Sequence, residues 1–320
     1  MVARPRAALQ AEVAVSKRLY LVTAGVLVCG AAAAAALAPG SLEEARASVT
    51  KGAAWLASSQ KASGAWSEEG MPALTGLSLW ALAASGLPGY EAQKDKAVAF
   101  LLSCQRPDGG IYVPQPGRKG SGLGNYNTSI CVMALHATGR RDLTPAILKA
   151  RGYIASSQHF GEDAHAGGFG YDKESQRAYT DLNNTHFALD AMRRTQGAED
   201  LRPAGEKRAD VNWDAALAYV TRMQNAEGET AGGFAYNTED PKAGAVTNAA
   251  GVVMLRAYGS MTYAGLLALV HAPLDKGDPR VRSAVGFGSR YWTLDENPGQ
   301  GQQGVYFYYN VMARALSAAG

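Results

Sequence analysis

One phrase recurs four times along the chain and constrains the fold more than any other feature. A glutamine is followed, after a few residues, by glycine and an aromatic or large apolar residue. It reads Gln60-Lys-Ala-Ser-Gly64-Ala-Trp66, then Gln105 with Gly109-Gly-Ile111-Tyr112. Gln158 with Gly167-Gly-Phe169-Gly-Tyr171 comes next, and Gln224 with Gly232-Gly-Phe234-Ala-Tyr236 closes the series. A second phrase alternates with the first: a threonine followed six and seven residues later by Ala and then Leu or Met. It occurs at Thr75/Ala81/Leu82, Thr128/Ala134/Leu135, Thr185/Ala191/Met192 and Thr262/Ala268/Leu269, and Tyr309/Ala315/Leu316 repeats it without the threonine. Self-similarity at this spacing marks an array of identical supersecondary units, each needing its neighbours to bury its apolar face.

The unit reads as a helical hairpin. Residues 45–59, 92–104, 145–157 and 211–223 precede the four glutamines and carry apolar residues at three-to-four spacing, with charges such as Lys94, Asp95 and Lys96 on the other face. The threonine stretches, for example residues 73–85 and 128–137, are apolar all round, which suits an interior helix. Outer amphipathic helices alternating with inner apolar ones predict an all-α chain built as an α/α toroid of about five hairpins. In each hairpin glycine makes the turn, and the aromatic beside it packs between successive outer helices as a staple. In the fourth unit Thr262 fits the inner phrase better than Thr247, which leaves residues 241–256 as a long loop with room for short strands.

The first forty residues differ in kind. Arg4, Arg6, Lys17 and Arg18 precede an uncharged apolar stretch over residues 19–38 that ends in small residues. This is the pattern of a secretory signal peptide, with a retained transmembrane anchor and membrane association as its competitor. Either reading exports the remainder, dividing the chain into residues 1–40 and a helical domain over residues 41–320. With 31 basic and 28 acidic residues the net charge is only +3. The absence of a Lys/Arg run argues against a nucleic-acid partner. Cys104 and Cys131 lie in apolar helical stretches as small buried hydrophobes, and no Cys/His spacing builds a metal site.

Gln60-x-x-x-Gly64-x-Trp66 resembles the Gln-Trp repeat of squalene and hopene cyclases. The whole pattern, over about residues 41–320, is similar to the terpenoid cyclase/protein prenyltransferase toroid, and more narrowly to exported prenyltransferase/squalene oxidase repeat proteins. The closer likeness rests on Asp181-Leu-Asn-Asn-Thr185, on Tyr258-Gly-Ser-Met-Thr-Tyr-Ala-Gly265, and on Trp292-Thr-Leu-Asp-Glu-Asn-Pro298 with Gln302-Gln-Gly304 and residues 306–309. It implies an isoprenoid or other lipid as ligand or substrate and no cofactor. Toroids of this kind close with six hairpins, so five readable ones imply an incomplete, open ring: a truncated product, or one closed by an oligomer partner or by the N-terminal segment.

Squalene-type cyclases protonate an alkene from the central aspartate of Asp-x-Asp-Asp-Thr. The matching segment here puts Asn183 in that position, and an amide is no Brønsted acid. Asp181 aligns with the first carboxylate, in a supporting or helix-capping role, and His186 stands five residues on. These three are the catalytic candidates. Prenyltransferases hold zinc with Asp, Cys and His, and no such set exists here. The binding candidates are the tyrosines and amides that open inner helices: Tyr126, Asn127, Tyr179, Asn184, Tyr258, Tyr263, Tyr308 and Tyr309. Aromatic faces suit long apolar chains and cations. A non-catalytic binding or scaffold module is the alternative. A carbohydrate enzyme, needing paired carboxylates from Asp172, Asp181 and Asp190, is a weaker one.

Overall fold

The computed structural model describes residues 40–115, 122–173, 179–247, 251, 253–272, 274–275 and 277–320. The chain falls into two units that meet between Trp55 and Leu56, inside helix α1 (Ser41–Ser59). Up to Trp55 the described part is a single run of that helix. The second unit contains α2 (Pro72–Ser85), α3 (Glu91–Ser103), α4 (Gly124–Ala137), α5 (Thr144–Ser156), α6 (Leu182–Arg194) and α7 (Trp213–Arg222). After them come a hairpin of β1 (Ala245–Thr247) and β2 (Val253–Leu255), then α8 (Gly259–His271), α9 (Pro279–Arg290) and α10 (Val305–Ala319). The all-α expectation holds, and the strand pair lies within the long loop expected over residues 241–256.

The even-numbered helices form the interior. α2 packs on α4, α4 on α6, α6 on α8 and α8 on α10, while α3, α5 and α9 pack on α2, α4 and α8 from outside. Burial follows this division. All of α8 except Val270 is buried, whereas α9 buries only Val281, Ala284, Phe287 and Gly288. α9 is the element that sequence periodicity did not locate. Gly286 and Gly288 dilute its apolar stripe, and Gly288 is retained because Tyr263 Oη would lie 3.0 Å from a side chain there.

Both repeated phrases have a hydrogen-bonding cause. Each glutamine amide donates twice, to the glycine carbonyl of its own turn and to a carbonyl at the start of the next outer helix. Gln60 reaches Gly64 (3.0 Å) and Gln93 (2.9 Å), Gln105 reaches Gly109 (3.2 Å) and Ala146 (2.9 Å), Gln158 reaches Gly167 (3.0 Å) and Asn212 (2.9 Å), and Gln224 reaches Gly232 (3.0 Å) and Arg280 (2.9 Å). One side chain thereby ties consecutive hairpins together. The inner threonine hydroxyl accepts the backbone N–H beside the staple: Trp66 on Thr75 (3.3 Å), Ile111 on Thr128 (2.8 Å), Phe169 on Thr185 (3.0 Å) and Phe234 on Thr262 (3.2 Å). Serine could supply that oxygen, but the threonine methyl also fills core volume.

Glycine in the turn is forced by sterics. Gly232 has φ +85°, and a Cβ there would stand 2.2 Å from the Ser283 carbonyl oxygen of α9. Gly205 has φ +87° but nothing within 4 Å. Gly232→Ala is expected to cost about 3 kcal/mol or more, from backbone strain plus the collision, against about 1–2 kcal/mol for Gly205→Ala, from strain alone. Chemical denaturation of the two variants side by side checks this, and equal losses would remove the steric argument.

One expectation is corrected. Among the described residues no helix is long and apolar enough to cross a membrane, which corrects the transmembrane-helix expectation for those residues. The apolar stretch over residues 19–38, read as signal or anchor, lies outside the described residues. Cys104 and Cys131 are buried free thiols, as expected of small hydrophobes.

Candidate functional site

Inner helices α2, α4, α6, α8 and α10 and the loops that precede α6, α8 and α10 line an open cavity of about 830 Å³. Its lining follows helical periodicity. α2 contributes Leu77, Trp80, Ala81 and Ala84. α6 contributes Asn183, Phe187 and Arg194, and α10 contributes Phe307, Asn310 and Arg314. Residues three to four apart share one helix face, so each helix turns a single stripe inward. Tyr126, Tyr171, Tyr236, Tyr258 and Tyr306 add aromatic wall, and Lys242 reaches in from the loop before β1. The described lining contains no aspartate or glutamate.

The expected site residues divide into three groups. Tyr126, Asn183 and Tyr258 line the cavity. Tyr126 packs edge-on against Phe187 with ring centroids 5.6 Å apart. Asp181, Asn184 and Tyr179 sit just behind the wall. Asp181 is the N-cap of α6, its carboxylate accepting the Asn184 backbone N–H (2.8 Å) and side-chain amide (2.7 Å). Full burial pushes its pKa up to about 6, against the lowering effect of those hydrogen bonds, the Tyr236 hydroxyl and Lys242. Tyr179 and Tyr171 are stacked, and both hydroxyls approach that of Tyr236, at 3.4 and 3.3 Å.

The remaining candidates are not on the cavity surface. Asn127 is fully buried and holds backbone: its carbonyl oxygen accepts the Ala73 N–H (2.9 Å), capping α2, while its amide donates to Gly122 (2.8 Å) and Leu123 (3.2 Å). Tyr308 donates to the Thr293 carbonyl (3.0 Å) and packs on Tyr263, and the Tyr309 hydroxyl donates to the Leu294 carbonyl. His186 is buried against Phe187 with ring centroids 4.1 Å apart, and neither ring nitrogen has a hydrogen-bond partner among the described residues. Burial, with Arg314 adding to it, drives its pKa well down, so it stays neutral and offers no charge to the cavity.

Periodicity on the inner helices could have found what motif reading missed. Asn183, Phe187, Asp190 and Arg194 step along α6 at intervals of four, three and four, and Phe307, Asn310 and Arg314 do the same on α10. Arginine on an otherwise apolar interior helix is the signal. Asp190, fully buried, joins the two stripes: it accepts from Arg194 Nε (2.6 Å), from His271 Nε2 (2.8 Å) and from Arg314 Nη2. Both guanidiniums lie over the Trp80 ring, at 5.3 Å for Arg194 and 5.0 Å for Arg314. Among the described residues no group of three or more His, Cys, Asp or Glu side chains could hold a metal ion. In comparisons with known proteins, the chain matches no family model and no curated protein.

Proposed function

We propose that the hairpins of residues 56–320 form an open α/α toroid of the terpenoid-cyclase type, which binds an extended apolar molecule, isoprenoid or another lipid, without converting it. The stepwise packing of α2, α4, α6, α8 and α10 supports the toroid, and the composition of the cavity wall supports binding. The observation that carries the reading is an aromatic cavity whose lining, among the described residues, has no carboxylate. Protonating an alkene needs a strong acid touching the substrate. Asn183, which the resemblance aligns with that acid, lies on the wall, and Asp181 caps α6. The same absence weighs against a glycosidase, which needs two facing carboxylates. Export of the domain, read from the N-terminal segment, is part of the proposal.

The full chain should therefore leave squalene and prenyl diphosphates chemically unchanged after prolonged incubation, as read by mass spectrometry. Ligands that enter the cavity should raise the melting temperature by several degrees at a hundredfold excess over Kd, because occupancy then adds about 2.7 kcal/mol. A cyclised or hydrolysed product would overturn the non-catalytic reading. No thermal shift with any apolar chain would overturn binding.

A further inference from the structure

The Arg194–Asp190–Arg314 cluster sets two guanidiniums on one fully buried carboxylate. Two guanidiniums and one carboxylate sit at an apolar wall, and breaking up such a group in an interior is costly only because assembling it was costly. Counting charge gives an excess of one. Arg314 is lowered to about 10 by burial and Arg194 is lowered for the same reason, so both remain cations at neutral pH. His271 is pushed down to about 4 by burial and by Arg194 and Arg193, so it faces Asp190 as a neutral donor. A protonated His271 would only enlarge the excess. The Arg314 side chain is 11% exposed, and its Nε hydrogen is buried without a partner among the described residues. Arg194 and Arg314 both line the cavity and share the single Asp190 carboxylate, so the cationic pair can take a further anionic acceptor from a bound molecule. Asn310 accepts from Arg314 Nη1 at 3.3 Å.

We infer that the cavity takes a single-chain amphiphile with a monoanionic head, of which a long-chain carboxylic acid is the simplest, the head seated against Arg194 and Arg314 and the tail along Trp80, Phe187 and Phe307. This rests on the binding reading above and deepens it. A planar carboxylate matches the guanidinium fork, and one negative charge cancels the excess. A diphosphate head would bring more charge than the pair can neutralise beside an apolar wall. The volume of 830 Å³ lies within the range of about 300–1,000 Å³ typical of ligand pockets. Lys242, the third cation on the wall, already stacks 3.3 Å from the centre of the Tyr236 ring beside Asp181.

Isothermal titration of the full chain with palmitate, hexadecanol, squalene and geranylgeranyl diphosphate at pH 8 tests the assignment. Palmitate is expected to bind about 10- to 100-fold more tightly than hexadecanol, the worth of a charge-assisted hydrogen bond. Arg194→Gln and Arg314→Gln, each confirmed folded by its melting curve, should shrink that preference to about threefold or less. Should Arg314→Gln not fold, the partly exposed Arg194 carries the test alone. Equal affinity for palmitate and hexadecanol in the wild type overturns the head-group site and leaves lipid binding standing. Tighter binding of the diphosphate overturns the monoanion, and loss of the preference in Lys242→Met but in neither arginine variant moves the head elsewhere. Failure of all four probes to bind overturns the underlying reading.

Discussion

Arg151→Met is expected to lower the unfolding free energy by about 3–5 kcal/mol, the largest single-residue effect outside the apolar core. Arg151 projects from α5 and is 1% exposed. Its guanidinium donates to Glu199 Oε1 (2.7 Å), to the Met192 carbonyl at the end of α6 (2.7 Å), to Thr195 Oγ1 (2.8 Å) and to the Ala209 carbonyl (2.9 Å). A thioether fills the volume but leaves three acceptors without this donor and leaves Glu199 with Arg202, which binds it at 2.6 and 2.9 Å, in place of two arginines. Burial alone would raise the Glu199 pKa, but Arg202 and Arg151 outweigh it and hold the carboxyl at about 2. A folded-state pKa below the unfolded one contributes stability above about pH 4.5 that is lost as the pH falls toward 2. Denaturant titration at pH 7 reads the main effect, and a loss under about 1 kcal/mol would show that the network is dispensable.

Asp181→Asn carries the second large effect, with the opposite sign. The Asp181 carboxyl is raised to about 6 by burial, about two units above an unfolded aspartate. A raised acid favours the folded state in its protonated form. Its contribution is therefore full below about pH 4 and is lost as the pH climbs through about 6, a cost of about 3 kcal/mol at pH 8. Asparagine caps helices as well as aspartate does, and its neutral amide escapes that cost. The variant should be more stable than the wild type at pH 8, by up to about 3 kcal/mol, with the gap closing near pH 4. Parallel stability curves for the two proteins across this range would falsify the assignment of Asp181 as a buried, raised acid.

Much of the hairpin array was legible because its periodic signals are local and repeated. The expected helices over residues 73–85 and 128–137 became Pro72–Ser85 and Gly124–Ala137, and the last repeat of the inner phrase, Tyr309/Ala315/Leu316, lies in Val305–Ala319. The glutamine, glycine and threonine of each unit act through backbone groups, so their order recurs in every unit even though the glutamine and glycine stand four residues apart in the first two units and nine and eight apart in the others. α9 escaped notice because it carries no copy of either phrase, and the close neighbour of its Gly288 is Tyr263 on another helix. The candidate site was legible only in part. Tyr126, Asn183 and Tyr258 reach the cavity, whereas Asn127 turned out to cap α2 across a separation of 54 residues. Trp80, Phe187, Arg194 and Arg314 were passed over because no motif contains them.

The difference has a physical origin. Helix formation, the interior position of the apolar helices and the glycine turns are set by short-range sterics and by the 3.6-residue period, which the amino-acid sequence states directly, and Asn183 in the acid's position is likewise a matter of sequence alone. Which polar groups face the cavity depends on how the stripes of separate helices come together. Asp190 on α6, His271 on α8 and Arg314 on α10 lie up to 124 residues apart, and only their packing makes them one charge cluster. That packing also decides which side of each helix loses water, and so where an uncompensated charge is left to meet a ligand.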